Sequence, residues 1–200
     1  MTVVNAIEHP SIRERRRAAV ERIALDLAAA HGYDAVTVEM ICDRALIAPS
    51  TFFNYFGSKH TAVLGPAPRP LDDARLAAFA SGTGDLLAEL MLMLVADWPQ
   101  TPSGRAMLLQ RIDLTERTPA LRSAHHGRLE DASAQVERAA IERLLRDGAP
   151  EAANAAHMVV ALSHALMHWM IGQLRIEPAI PFDELVERAL LVLRGVSAAQ

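Results

Sequence analysis

Residues 37–64 read TVEMICDRALIAPSTFFNYFGSKHTAVL. Thr37 is a capping residue ahead of Val38 to Ala45, where Val38, Ile41, Cys42 and Ala45 fall on one helix face. Leu46, Ile47 and Ala48 follow as a turn. Pro49 ends any helix before it and suits the first turn of the next one. That next helix runs to about Phe56, Gly57 stops it, and Ser58 caps a further helix from Lys59. Two helices of about two turns joined by a tight turn form a helix-turn-helix pattern over about residues 37–56.

A longer helix precedes this pair. Ser11-Ile12-Arg13-Glu14 has the form of a capping box, in which serine and glutamate side chains each satisfy the other's backbone N–H. Val20, Ile23, Ala24, Leu27 and Ala28 then make an apolar stripe at helical spacing, and Gly32 is the expected stop.

Beyond the pair, Pro66, Pro68 and Pro70 interrupt the chain. Helices are expected at about 71–80, 84–97, 103–115, 119–147, 150–175 and 181–196, with prolines at most boundaries. The last carries a clean stripe of Phe182, Leu185, Val186, Ala189, Leu190, Leu193 and Val196. The chain has 200 residues, 51% of them hydrophobic and 4% aromatic, with a net charge of −4. This composition excludes a disordered chain and favours an all-α protein of one or two domains. The single cysteine, Cys42, has no internal disulfide partner, which points to a reducing, cytoplasmic compartment. Cys42 is expected to be a small buried hydrophobe.

The N-terminal MTVVNAIEHPSIRERRR has no apolar run ahead of its charges, so no signal peptide is expected. Ala152 to Leu174 lacks Asp, Glu, Lys and Arg and is long enough to span a bilayer. It also holds Asn154, His157, Ser163, His164, His168 and Gln173, without a flanking basic cluster. A buried helix and no membrane partner are the expectation. Residues 1–64 carry seven basic and seven acidic groups, so the acidic excess lies further on. Arg13, Arg15, Arg16 and Arg17, with Arg44 and Lys59, could still give the first part a basic face.

The segment 37–64 resembles the helix-turn-helix of the TetR/AcrR family. That family reads as Thr-Val, a short helix, Ala-Gly-Val-Ser, then Thr-Phe-Tyr-x-Tyr-Phe and Ser-Lys. The matching residues are Thr37, Val38, Ile41, Ala45, Thr51, Phe52, Tyr55, Phe56, Ser58 and Lys59. Lys59 is the only lysine in the chain. The departures are Leu46 for the turn glycine, Ala48 for the serine cap, Phe53 for a tyrosine and Ala28 for a bulkier residue. If the turn requires a positive φ, Leu46 costs on the order of 1 kcal/mol there.

The resemblance implies a three-helix DNA-binding domain at 9–65 and a helical ligand-binding and dimerisation domain at 66–200. It also implies that the helix from Pro49 enters the major groove of double-stranded DNA. Ala48, Pro49, Ser50, Thr51, Asn54 and Tyr55 form its expected exposed face. Ser50, Thr51 and Asn54 can bond base edges or phosphates, and Ala48 or Pro49 can touch a thymine methyl. Thr37, Tyr55 and Lys59 are expected phosphate anchors, while Phe52 and Phe56 are expected core. A module of this kind reads a palindromic operator as a homodimer. The family forms its dimer from the last two helices, here about 150–175 and 181–196.

The resemblance further implies repression relieved by a small effector. Met91, Trp98, Met107, Trp169 and Met170 could line an adaptable apolar pocket for it. Two other readings remain open. His157, His164 and His168 share a helix face, and the last two have the i, i+4 spacing of a metal pair. Repeated Glu-x-x-His and His-Glu-x-x-His are absent, however, so neither a metal nor a cofactor is expected. Phosphate loops and nucleophile elbows are also absent, so an enzyme is not expected. The third reading is an interaction protein with a degenerate DNA-binding head, left open by Leu46 and Phe53.

Overall fold

The computed structural model describes residues 11–65 and 71–198. Ten helices and no strand occur among the described residues. They are α1 (Ile12–His31), α2 (Val38–Ala45), α3 (Pro49–Phe56), α4 (Lys59–Leu64), α5 (Asp73–Ser81), α6 (Leu86–Val95), α7 (Pro102–Arg117), α8 (Pro119–Arg146), α9 (Ala152–Ile176) and α10 (Phe182–Ala198). The leader reading falls partly on residues 1–10, and the prolines at 66, 68 and 70 lie in 66–70. Both stretches lie outside the described residues.

Local chemistry sets the helix ends. Ser11 and Glu14 form the expected capping box: the Ser11 N–H donates to Glu14 Oε2 at 2.7 Å, and the Glu14 N–H to Ser11 Oγ at 3.2 Å. Hydrogen bonding to Ser11, its backbone N–H first, holds the Glu14 carboxyl below its usual value. The Met40 N–H donates to Thr37 Oγ1, and the Thr61 N–H to Ser58 Oγ. Gly57 closes α3 at φ 69. Leu46 closes α2 in the left-handed region, at φ 54 and ψ 47. A residue with a Cβ pays about 1–2 kcal/mol there.

The chain divides into two units, Met1–Pro66 with Gln110–Arg122, and Ala67–Leu109 with Ser123–Gln200. Residues 110–122, beyond the boundary expected at 65, thus pack with the first unit. Arg111 shows why. Its Nε donates to the Val63 carbonyl at 3.0 Å, and its guanidinium lies 3.9 Å from the Glu21 carboxylate. Glu21 is itself buried on α1 and also pairs with Arg17 at 3.2 Å. Gly65 gives Arg111 its room. A Cβ there would fall 2.4 Å from the guanidinium carbon, and its φ is +73. Leu121 is fully buried in the same unit.

The core of the first unit is Val20, Ala24, Leu25, Ala28, Val36, Ile41, Cys42, Phe52, Phe56, Ala62, Val63 and Leu64, all buried. The small Ala24 and Ala28 on α1 lie with the bulky Phe52 and Phe56 on α3 in this core. Burial pushes the Cys42 thiol above its usual pKa, and Asp43 and Glu39 add to the effect.

The second unit has two apolar clusters. One gathers Met91, Val95, Leu166, Met170, Leu174, Ile180, Phe182 and Leu185, with α10 as its main wall. The other gathers Phe79, Leu90, Val136, Ala140 and Ala156. Two buried arginines tie loops to these clusters. Arg143 donates to the Phe79 and Gly84 carbonyls at 3.0 and 2.7 Å and pairs with Glu89. Arg105 donates to the Pro178 carbonyl at 2.9 Å and to that of Ile180, and lies 4.2 Å over the Phe182 ring.

Helix α9 corrects an expectation. Among the described residues it is the one helix long and apolar enough to cross a membrane, and only 28% of its apolar window is buried. It is a half-open helix, not a buried one. Ala152, Ala156, Ser163, Leu166, Met170 and Leu174 face inward. Met158, Ala161, Ala165 and Ile176 face outward with the three histidines.

Candidate nucleic-acid interface

Helix α3 is anchored by two aromatic side chains one turn apart. The rings of Phe52 and Phe56 lie 5.2 Å apart and are buried at 0% and 6% exposure. Anchoring at i and i+4 turns the opposite side outward. Ala48, Pro49, Ser50, Phe53 and Asn54 are exposed, whereas Thr51 and Tyr55 are half-buried. The side chains of Ser50 and Asn54 make no hydrogen bond within the chain among the described residues, so their polar groups face outward unused. Ala48 supplies no side-chain cap, and Pro49 lacks an N–H. The other first-turn N–H groups of α3 are thus left without a side-chain partner, as an approaching anion would need.

Phe53 was not among the expected contact residues, yet half of it is exposed on this face. The signal was present in the sequence. With Phe52 and Phe56 inward, residue 53 falls one position off the anchored face.

Lys59 is placed differently from a simple phosphate anchor. Its Nζ donates to the Tyr33 carbonyl at 2.9 Å and to the Val36 carbonyl at 2.8 Å, and lies 4.2 Å from the Tyr33 ring centre. Two of its three N–H groups are spent inside the domain, leaving one. Thr37 is likewise engaged as the cap of α2. The arginines of α1 divide. Arg13 lies 5.9 Å over the Tyr55 ring and Arg17 5.6 Å over the Phe56 ring. Arg15, Arg16 and Arg44 remain exposed.

A chain of these elements matches known proteins. Residues 22–61 match the family model for bacterial regulatory proteins of the tetR family. The HTH-type transcriptional regulator TcmR of Streptomyces glaucescens is 32% identical over 141 residues, covering 64% of this chain and 62% of TcmR. Over this region the chain is similar to regulators of the TetR family. The match spans less than two thirds of TcmR, so the shared region is a part of that protein. Among solved structures, a protein of Mesorhizobium loti MAFF303099 assigned to the TetR family superposes with a TM-score of 0.51. It has 19% identity and covers 92% of this chain and 98% of that one. At that identity the likeness concerns the fold, an all-α TetR-type architecture with a helix-turn-helix ahead of a helical C-terminal part.

The residues proposed for an effector pocket are spread through packed regions of the second unit. Met91 and Met170 are fully buried in its larger cluster, with Trp98 and Trp169 packed against it. Trp98 meets the Phe182 ring edge-on at 5.2 Å. Met107 is half-buried on α7. Met91 and Met170 fill space in this core, whereas Trp98, Met107 and Trp169 are half-buried. A cleft of about 680 Å³ lies elsewhere in the unit, between α5 and α8, lined by residues including Leu76, Gln135 and Arg138. Among the histidines, His157 lies 3.4 Å from Glu137 and His164 3.5 Å from Ser133. No three metal-ligating side chains converge among the described residues.

Proposed function

We propose that this protein is a transcriptional regulator of the TetR type, sequence-specific, that binds a palindromic operator in double-stranded DNA as a homodimer. The observation that carries the reading is the outward face of α3. It presents Ala48, Pro49, Ser50 and Asn54 together, on a helix fixed from behind by Phe52 and Phe56. Thr51 and Tyr55 flank that face. The spare N–H of Lys59 and the exposed Arg15, Arg16 and Arg44 are placed for phosphate. Residues 9–65 hold the reading head, and residues 66–200 serve ligand binding and dimerisation.

The dimer surface is proposed on the outer faces of α9 and α10. Met158, Ile176, Leu191, Val192 and Val196 are exposed there, at 60, 78, 70, 45 and 72%. Helices that leave this much apolar surface open are best satisfied by a second copy. We also infer a repressor of the cytoplasm, released from DNA by a small, largely apolar effector. Such a ligand would enter by displacing the flexible side chains Met91 and Met170 and the neighbouring Trp98, Met107 and Trp169.

Selection of binding sites from random duplexes tests the reading. A palindrome with half-sites about 34–36 Å apart, or a multiple of that, is expected. Recovery of no common site at moderate salt would overturn it.

A further inference from the structure

Leu46 combines two features that give the isolated chain nothing. Its backbone is left-handed, with φ 54 and ψ 47. Its side chain is 91% exposed, the highest value among the exposed large hydrophobic residues. The turn requires the backbone geometry. The Leu46 N–H donates to the Asp43 carbonyl and the Ile47 N–H to the Cys42 carbonyl, which closes α2. Glycine reaches that geometry without a Cβ penalty. Leucine does not, and an exposed isobutyl group recovers nothing by packing on its own chain. Strain of this kind persists where a function uses it.

The position points to the use. Leu46 stands two residues before the exposed Ala48 and three before the exposed Pro49 at the start of α3. Leu46, Ala48 and Pro49 therefore present three exposed apolar groups within four residues at the edge of the proposed reading head. The apolar feature of a base edge in the major groove is the thymine C5-methyl group.

We propose that Leu46 is a specificity residue that contacts a thymine methyl group of the operator half-site. The proposal rests on the DNA-binding reading above. The contact buries leucine and thymine methyl surface that water otherwise covers. It favours thymine over the other bases without a hydrogen bond.

The test uses the full-length protein and the operator it selects. Each thymine of a half-site is replaced in turn by deoxyuridine, which lacks the methyl group. Wild type, Leu46→Gly and Leu46→Met are measured on every duplex. One replacement is expected to weaken wild-type binding about threefold to tenfold per half-site. Leu46→Gly should bind the thymine duplex more weakly by a similar factor and ignore that one replacement. Leu46→Met should keep most of the preference. Leu46→Gly should melt at or above the wild-type temperature, since the fold does not need the side chain. A lower melting temperature overturns the proposal. So does unchanged affinity in Leu46→Gly, or an equal loss on thymine and deoxyuridine at every position. These results would leave the operator reading standing, whereas failure to select any operator removes that reading and the proposal together.

Discussion

Lys59 and Tyr33 hold each other twice: the lysine ammonium donates to the Tyr33 carbonyl at 2.9 Å and lies 4.2 Å from the centre of the same residue's ring. A third bond, to the Val36 carbonyl at 2.8 Å, closes the start of α4 onto the loop between α1 and α2. Hydrogen bonds from a charged group contribute about 1.5–3 kcal/mol each, and a cation over an aromatic ring adds roughly 0.5–1 kcal/mol. These terms share one ammonium and do not add fully. Lys59→Met is expected to cost about 2–3 kcal/mol in urea unfolding. It should also weaken binding to all DNA sequences alike and flatten the salt dependence. Unchanged stability would show that the lysine serves DNA alone.

Thr37 is expected to act chiefly as a cap. Thr37→Ala removes the acceptor for the Met40 N–H and should cost about 1 kcal/mol, with Thr37→Ser restoring most of it. Thermal unfolding of the three proteins checks this.

Arg143 is 2% exposed and satisfies the carbonyls of Phe79 and Gly84 together with Glu89. Arg143→Ala leaves the buried carbonyls without their donor and opens a void. A loss of about 3–5 kcal/mol is expected. Arg143→Lys should recover only part, because an ammonium lacks the planar fork that reaches separated acceptors. Chemical denaturation of both variants measures the difference.

Asp85 caps α6 by accepting from the Ala88 N–H at 2.9 Å and pairs with Arg194 at 2.7 Å. The Ala88 bond is the leading cause that holds its carboxyl below the usual 3.8, with Arg194 contributing. A carboxyl depressed in the folded state stabilises the fold above its unfolded pKa. That contribution fades as pH falls through the lower, folded value. Stability of the wild type should therefore drop below about pH 4 more steeply than that of Asp85→Asn, which keeps a cap but not the charge. Parallel curves from melting at stepped pH would contradict this.

Cys42 is 2% exposed, and burial raises its thiol pKa. The thiolate is the reactive form. The native protein should react with an aromatic disulfide reagent far more slowly than the urea-unfolded chain, and the rate should follow unfolding. Rapid labelling at neutral pH would show that α2 opens readily.

Part of this molecule was legible residue by residue. Ser11, Thr37 and Ser58 announce helix starts, and Gly57 and Pro49 announce breaks, because a helix end is decided within about four residues of chain. The same locality let Phe52 and Phe56 be assigned inward. The same spacing turns Phe53 outward.

The sequence by itself determined the helical class of the described residues, about where their helices begin and end, and the helix-turn-helix of residues 37–56, since propensity, capping and the 3.6-residue period act over a few positions. Only the tertiary structure decided the destinations of the long side chains. Lys59 reaches back 26 and 23 residues to carbonyls, and Arg111 reaches back 48 to Val63. Such contacts have no spacing to read, because distant segments meet only once the core has packed. The structure likewise closed Met91 and Met170 into a core, and left the leucine of the helix-turn-helix, strained and exposed, beside the helix proposed to read DNA.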